Sequence, residues 1–396
     1  MLHRLEPQSP DALLALIKLH AADARPDKVD LGVGVYRTGQ GDTPVFAAIK
    51  AAEQRLVDTQ DSKSYLGPEG DMGFVNALMP YIFGTDDPAM GGRIAGMQTP
   101  GGTGAVRLAL ALAQKAGMMR LHMGTPSWPN HAQIIKDIGL DWTAFDHANP
   151  DGSANVDAVL AAIRGAGPGE GVLLHGCCHN PTGIDYTPDQ WDAIGDAIAE
   201  TGVFPIIDVA YQGLGKGMEE DASGFRSVLA KVPEAFIAYS CDKNFGMYRD
   251  RVGAFYILAG SEADGAATLE KAFSNANALA RASWSMPPDH GAAAVRLILR
   301  DADLTAQWLY ELDQMRARMN QVRARLAEAG TAGSVDLTPL GTQNGLFSML
   351  PVTADQVRQL REEHAIYMAG SGRINVAGLT FDNMEKFITA IADVTG

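Results

Sequence analysis

Residues 171–213 read GVLLHGCCHNPTGIDYTPDQWDAIGDAIAETGVFPIIDVAYQG, and this stretch decides the fold. GVLLHGCC is an apolar, strand-like run that ends in a turn marked by Pro181 and Gly183. TPDQWDAIGDAIAETG carries the apolar period of a helix, and VFPIIDVAY is a second apolar run, ending around Asp208. Strand, helix and strand at this spacing form a parallel unit. The pattern repeats outward. Upstream lie LHMG, NHAQIIKDIG, LDWTAF and NVDAVLAAIRG; downstream lie FRSVLAKVP, EAFIAYSCDKNFG and VGAFYILAG. The expectation is an α/β protein whose large domain has three layers, α/β/α, around a mainly parallel sheet.

The flanks differ. DLTAQWLYELDQMRARMNQVRARLAEAG reads as one long amphipathic helix stopped by Gly330. After it, NGLFSML, IYMAG and SGRINVAG are short strand-like pieces, a helix is expected over 353–364, and NMEKFITAIADV forms a terminal helix: a small α/β lobe. At the other end, Ser9 and Pro10 fit a helix cap and first turn for SPDALLALIKLH, with the first eight residues as an arm. KVDLGVGVYRTG (28–39) is strand-like and belongs with the small lobe. A helix is expected from about Pro44, and MQTPGGTGAVRLALALAQKAG passes from a Gly-rich turn into another.

Composition excludes several classes. The chain has 396 residues, 46% apolar and 20% charged, which suits a packed core and neither disorder nor a charged coiled coil. A net charge of −15 argues against general binding to nucleic acid or anionic membrane. Three cysteines, Cys177, Cys178 and Cys241, form no disulfide framework or zinc spacing. The first residues have Pro and charge where a signal peptide needs an apolar core, and no stretch approaches about 18 uninterrupted apolar residues. A cytoplasmic protein is expected.

The chemistry sits at strand ends, where open α/β sheets line their ligand crevice. PGGTGA (100–105) opens a helix with small residues whose N–H groups can meet an anion, and Thr103 adds a hydroxyl. A simple turn and cap would also use these residues. The motif is neither a P-loop nor a dinucleotide fingerprint, so a single phosphate suits it best. Lys243 ends a buried strand, where a partly desolvated amine can form a Schiff base; Ser240 and Arg251 flank it as phosphate donors. Asp208 ends another strand and could protonate a heteroaromatic nitrogen, or merely cap a helix. Trp128 offers a stacking surface and His131 a partner for an acid. HGCCHNPTG holds two histidines off any helix and lacks an acidic third ligand at a recognised spacing, so no metal is expected. A phosphate nest, a stacking ring, an Asn180/Tyr211 pair for a phenolate oxygen, an acid for a pyridine nitrogen and a Schiff-base lysine together describe a site for pyridoxal 5′-phosphate (PLP).

In order from residue 31 to 378, LGVGVYRTG, YLGPEG, QTPGGTGA, PSWPNH, HGCCHNPTG, IIDVAYQG, DKNFGMYRDRVG, RASWSMPP and SGRINVAG resemble the class I aspartate/aromatic aminotransferases, PLP enzymes of fold type I. The resemblance implies that Lys243 holds the cofactor aldehyde and shuttles the proton. It implies that Asp208 pairs with the ring nitrogen with His131 behind it, that Trp128 stacks on the ring, and that Asn180 and Tyr211 hold its 3-oxygen. Gly102, Thr103, Ser240 and Arg251 would hold the phosphate, with Tyr65 reaching the other subunit's phosphate and aiding catalysis there. Arg373 would clamp the substrate α-carboxylate with Asn180 assisting, and Gly34 lies in a segment closing over substrate. Arg281 would cross a homodimer interface to bind a side-chain carboxylate. Active sites are therefore expected to be shared between two subunits.

The same resemblance implies one discontinuous architecture: residues 1–43 as arm and first part of a small domain, 44–300 as the large PLP-binding domain, and 301–396 as connecting helix and remainder of the small domain. The paired arginines imply ping-pong transfer of an amino group between L-aspartate or L-glutamate and 2-oxoglutarate or oxaloacetate. Three departures bear on this. Asp242 precedes the lysine where Ser is usual, Trp284 replaces Tyr, and Met286 replaces the Asn of aspartate-specific members. The last two favour an alternative, transamination of Phe, Tyr or Trp with 2-oxoglutarate, alone or with dual specificity. A PLP-dependent β-lyase or decarboxylase is a third option on the same fold.

Overall fold

The computed structural model describes residues 1–7, 12–85, 92–260 and 264–396. Ser9 and Pro10, expected to open the first helix, lie outside the described residues. The chain divides into two compact units, residues 44–317 and residues 1–43 with 318–396.

In chain order the elements are α1 (Ala12–Ala22), β1 (Val29–Asp30), α2 (Ala47–Thr59), α3 (Met72–Phe83), β2 (Ile94–Pro100), α4 (Gly101–Lys115), β3 (Arg120–Thr125), α5 (Pro129–Ile138), β4 (Asp141–Asp146), α6 (Val156–Gly165) and β5 (Glu170–His175). There follow α7 (Pro188–Thr201), β6 (Phe204–Val209), α8 (Met218–Lys231), β7 (Ala235–Ser240), β8 (Val252–Leu258), α9 (Gly265–Ser283) and α10 (Asp289–Arg300). The 27-residue α11 (Ala302–Glu328) spans the division between the units. The remainder is β9 (Thr331–Ala332), β10 (Val335–Asp336), β11 (Phe347–Met349), α12 (Ala354–His364), β12 (Ile366–Tyr367), β13 (Arg373–Asn375) and α13 (Phe381–Thr395).

The larger unit is built on a seven-stranded sheet in the order β2-β8-β7-β6-β5-β3-β4. Strands β7, β6, β5, β3 and β4 are parallel neighbours, while β8 runs antiparallel to both β7 and β2. Every residue of β7 and β8 is buried, which is why AFIAYS and VGAFYIL read as unbroken apolar runs rather than alternating ones. Helix α4 lays Leu108, Leu110 and Leu112 into the core that contains Ile206, Phe236 and Phe255. The helices begin where local chemistry allows: α7 has Pro188 in its first turn and a capping box between Thr187 and Gln190, and left-handed Gly202 ends it.

Three places sharpen, add to or correct the sequence reading. The glycines after Pro100 form the first turn of α4 itself, because MQTP is the end of strand β2. Residues 265–300, where the sequence reading delineated no element, form α9 and α10, and α10 carries an apolar face that includes Val295 and Ile298. Their buried sides are mostly Ala and Gly, including Ala276, Ala280 and Ala292–Ala294, which pack closely without large side chains.

The third concerns KVDLGVGVYRTG in the smaller unit, where only Val29–Asp30 is strand, paired in parallel with β12. The Asn375 amide donates to the carbonyls of Val33 (2.6 Å) and Val35 (2.7 Å), taking acceptors that a longer strand would need. Two further short ladders, β9 with β10 and β11 with β13, and the helices α12 and α13 complete this unit around Leu326, Leu360, Ile374 and Phe387. Among the described residues no helix is long and apolar enough to cross a membrane.

Candidate active site

The carboxyl ends of β5, β6 and β7 gather the chemistry. Asp208, 7% exposed at the end of β6, receives a hydrogen bond from His131 Nε2 at 2.8 Å, and His131 is fully buried in the first turn of α5. Behind His131 runs a chain of contacts that the sequence does not announce. Ser127 Oγ lies 2.9 Å from His131 Nδ1 and 3.0 Å from His175 Nε2, and the Asn180 N–H points to His175 Nδ1 at 3.4 Å. With neutral rings one assignment satisfies all of them: Asn180 donates to His175, His175 to Ser127, Ser127 to His131 and His131 to Asp208. Burial drives the pKa of His175 and His179 well below that of free imidazole. His147, stacked on His179 with ring centroids 3.4 Å apart, is pushed down to about 4 by the same cause. His179 is committed to Thr182 and His147 to the Ile184 carbonyl, so each ring is held in a structural bond. The only signal for Ser127 in the sequence is its place inside PSWPNH.

Asn180, just after β5, donates from Nδ2 to the Tyr211 hydroxyl at 3.2 Å, while its Oδ1 is buried with no hydrogen-bond partner among the described residues. Lys243 follows β7, and its ammonium sits 5.2 Å from the centroid of the Tyr211 ring. Burial lowers its pKa, against the opposing charges of Asp242 and Asp208. Its segment is clamped from beneath. Trp308 Nε1 donates to the Asn244 carbonyl at 2.8 Å, Asn244 donates to the Tyr239 hydroxyl at 2.9 Å, and Phe245 stacks on Trp308. Trp128 forms the cap of α5 and meets His131 edge to face at 5.0 Å.

Beside this wall stands the first turn of α4, with Thr103 in it. A Cβ on Gly102 would come 2.8 Å from the Ser240 Cβ, so the helix start approaches Ser240 as only glycine permits. Gly101, with φ of +72°, leaves open a space into which Arg251 reaches. Arg251 donates to Asp242 in a short ion pair and to the Tyr248 carbonyl at 3.0 Å. Burial raises the Asp242 pKa, and Lys243 and Arg251 oppose that rise.

Tyr65 and Arg281 stand apart from the wall. Tyr65 is 94% exposed, and Arg281, exposed in the last turn of α9, donates to Ser285 of its own chain. Their two segments touch: the Leu66 N–H lies 3.0 Å from Met286 Sδ. Buried Gln98 on β2 ties both to the sheet, accepting from Asp71 N (2.8 Å) and donating to the Pro288 carbonyl (2.6 Å). Trp284 packs against the core of the larger unit. In the smaller unit, Arg373 on β13 stacks over Phe347 at 4.4 Å and donates to the Gly32 carbonyl at 2.9 Å. A Cβ on Gly34 would come 2.6 Å from the same Phe347 ring, so Gly34 must stay bare for Phe347 to lie there.

These observations fit PLP. A half-buried lysine with no hydrogen bond or ion pair among the described residues suits an aldehyde. An aspartate backed by a buried histidine suits a pyridine nitrogen, and a buried amide oxygen without a partner beside Tyr211 suits a ring substituent. A glycine helix start against Ser240 suits a phosphate.

Comparison with known proteins agrees. The family model "Aminotransferase class I and II" matches residues 26–391. The chain is 49% identical over 380 residues to a tyrosine aminotransferase of Rhizobium meliloti (strain 1021), covering 96% of each chain, and 40% identical over 401 residues to an aspartate aminotransferase of Salmonella typhi, covering 100% of each. The structure of an aromatic-amino-acid aminotransferase from Burkholderia pseudomallei, covalently bound to pyridoxal phosphate, superposes with a TM-score of 0.94 at 33% identity over 100% of both chains. The chain thus belongs to the class I PLP-dependent aminotransferases of fold type I: it is a transaminase, and PLP is its cofactor.

Proposed function

We propose that the protein transfers amino groups from aromatic amino acids to 2-oxoglutarate, accepting aspartate and glutamate as well, as a homodimer with shared active sites. The observation that carries the aromatic preference is Met286, whose apolar side chain bridges the segments of Arg281 and Tyr65 by taking the Leu66 N–H on its sulfur, where a dicarboxylate alone would need no apolar group. The 49% identity to a tyrosine aminotransferase, against 40% to an aspartate aminotransferase, supports it. This places the alternative ahead of the aspartate reading to which the paired arginines first led. Arg281 keeps the dicarboxylate half-reaction, since a guanidinium pairs bidentately with a carboxylate. Its exposure, and that of Tyr65, support a role across a dimer interface.

When bound, the cofactor supplies an aldehyde for the amino group and a ring that accepts the electron pair left at the substrate α-carbon. The chain's residues do the rest. Asp208, held by His131, keeps a proton at the ring nitrogen. Lys243, whose charged form burial disfavours, moves the α-proton at Nζ. Trp128 and the Asn180–Tyr211 pair orient the ring, and Gly102, Thr103, Ser240 and Arg251 hold the phosphate with Tyr65 of the second subunit. Arg373 takes the α-carboxylate, with Asn180, and Gly34 lies in the closing segment.

The test is a kcat/KM panel over phenylalanine, tyrosine, tryptophan, aspartate and glutamate with the matching 2-oxo acids. Aromatic values at or above the aspartate value are expected. An aspartate value at least about tenfold above every aromatic one would return the enzyme to the aspartate reading.

A further inference from the structure

Asp242 sits directly before Lys243, and the proposed reaction does not call for its carboxylate. It is 3% exposed, and both carboxylate oxygens are engaged. Oδ2 accepts from Arg251 Nη1 in the short ion pair, and Oδ1 accepts from the Val252 N–H at 3.2 Å. The pair stands at the anion-binding start of α4. The position that a Cβ on Gly101 would take lies 2.5 Å from Arg251 Nη2, 2.9 Å from its Cζ and 3.2 Å from Asp242 Oδ2. Carboxylate and guanidinium together therefore fill the space of a side chain at 101. Arg251 itself has a left-handed backbone, φ +57°, which a non-glycine residue adopts only when its surroundings hold it there. Here the Val252 bond to Asp242, the Tyr248 carbonyl and the ion pair fix both ends of the residue.

We propose that Asp242 is a positioning residue that competes with the cofactor's phosphate for Arg251, so that this enzyme holds its phosphate-bearing cofactor loosely and exchanges it readily. The inference rests on reading Gly102, Thr103, Ser240 and Arg251 as the phosphate site. One guanidinium nitrogen is committed to a buried carboxylate and only the other faces the helix start, so a fork that could grip a phosphate with two bonds offers one. The buried negative charge of Asp242, whose side chain is 4% exposed, also offsets that of Arg251 a few ångströms from an incoming dianion, although solvent on the Arg251 side, 40% exposed, screens part of it. The consequence is greatest in the amino form of the cofactor. An amine forms no Schiff base with Lys243, so in that half of the cycle retention depends on non-covalent contacts, the phosphate foremost. The enzyme would then lose cofactor between half-reactions and respond to its supply.

The experiment converts the holoenzyme to the amino form with excess amino donor and measures the rate of cofactor loss on dilution. It is paired with equilibrium binding of pyridoxamine phosphate and of phosphate-free pyridoxamine to the stripped enzyme. Asp242→Asn, which keeps an acceptor for Val252, and Asp242→Ser are both made. The expected result is cofactor loss slowed, and pyridoxamine phosphate bound more tightly, by at least about tenfold in both variants, with pyridoxamine binding unchanged. A purely structural role would move both ligands alike. Unchanged or weaker binding of pyridoxamine phosphate in the two variants overturns the proposal. Arg251→Ala separates the underlying reading: it should weaken pyridoxamine phosphate and spare pyridoxamine, and if it does neither, the phosphate site lies elsewhere whatever Asp242 does.

Discussion

Two regions of the larger unit are built in opposite ways. The wall at the ends of β5, β6 and β7 is buried and over-determined: Asp208, His131, Ser127, His175 and Asn180 form an unbroken hydrogen-bonded series, and Trp308 and Asn244 fix the Lys243 segment from below. The Tyr65 and Arg281–Met286 segments, or tips, are tied to the sheet through Gln98, but Tyr65 and Arg281 stand exposed, and an N–H to sulfur contact joins the segments near them. On the function proposed above, the wall serves the cofactor, which is the same for every substrate, and the tips serve the side chain, which differs between substrates. Preorganisation is worth most where charge develops in every turnover, and adaptability where side chains of different shape must be accepted.

The wall breaks most severely at its lysine. Lys243→Ala should retain cofactor weakly and lose transamination by about 10⁴-fold or more, since it removes both covalent attachment and the proton carrier. Single-turnover spectra with phenylalanine and with aspartate should be equally slowed, because the wall does not distinguish them. Near-normal rates would remove Lys243 from the chemistry.

Arg281→Leu is the corresponding blow to the tips. Truncating one partner of a desolvated ion pair costs about 2–5 kcal/mol, so aspartate kcat/KM should fall by about 10³-fold and phenylalanine by less than about tenfold. Mixed dimers sharpen this further. If Arg281 serves the neighbouring subunit, combining Lys243→Ala and Arg281→Leu subunits restores one intact site, and aspartate turnover returns. No recovery in dimers shown to have exchanged would assign Arg281 to its own subunit.

Burial favours the neutral form of three histidines at or beside the wall, His147, His175 and His179. His147 has a folded pKa of about 4 against about 6.5 when unfolded, so the native state binds fewer protons between those values. Its contribution is present above pH 6.5 and is lost as pH falls toward 4, amounting to about 3 kcal/mol. His175 and His179 act in the same direction. Urea unfolding of the holoenzyme across that window should show the loss, and His147→Phe should flatten it. An unchanged slope in that variant would mean that other groups carry the pH dependence.

The same contrast governs what could be read from the chain alone. The alternation of apolar runs and helical periods from 119 to 258 is visible because β7 and β8 are buried on both faces, and the strand-end residues follow from it. The positions of Asp208, Lys243 and Asn180 at the strand ends were thus legible. Ser127 was not, because a serine acts here only through two histidines that folding brings to it from 4 and 48 residues away. Helix α9 was hard to delineate because its buried residues are Gly265, Ala276 and Ala280, whereas the Val295 and Ile298 face of α10 carries a helical period that the reading passed over. The Asp242–Arg251 pair could be suspected from an odd residue beside the lysine, but its direction depends on the empty Cβ position of Gly101, which is a property of the backbone.

The smallest expected effect lies at the contact between the tips. Met286→Asn keeps an acceptor that can take the Leu66 N–H, so the loop bearing Tyr65 should stay where it is, while apolar surface beside Arg281 becomes polar. If Met286 touches aromatic substrates, their kcat/KM should fall by about fivefold to tenfold, roughly 1 kcal/mol of apolar contact, with aspartate unchanged or improved. The measurement is the ratio of the two specificity constants, because a change in the ratio cannot come from a general loosening of the fold. An equal fall for both substrates would show that Met286 works by holding Leu66, and hence Tyr65, rather than by meeting the substrate. The tips would then be part of the cofactor machinery after all, and aromatic preference would have to be sought in other side chains.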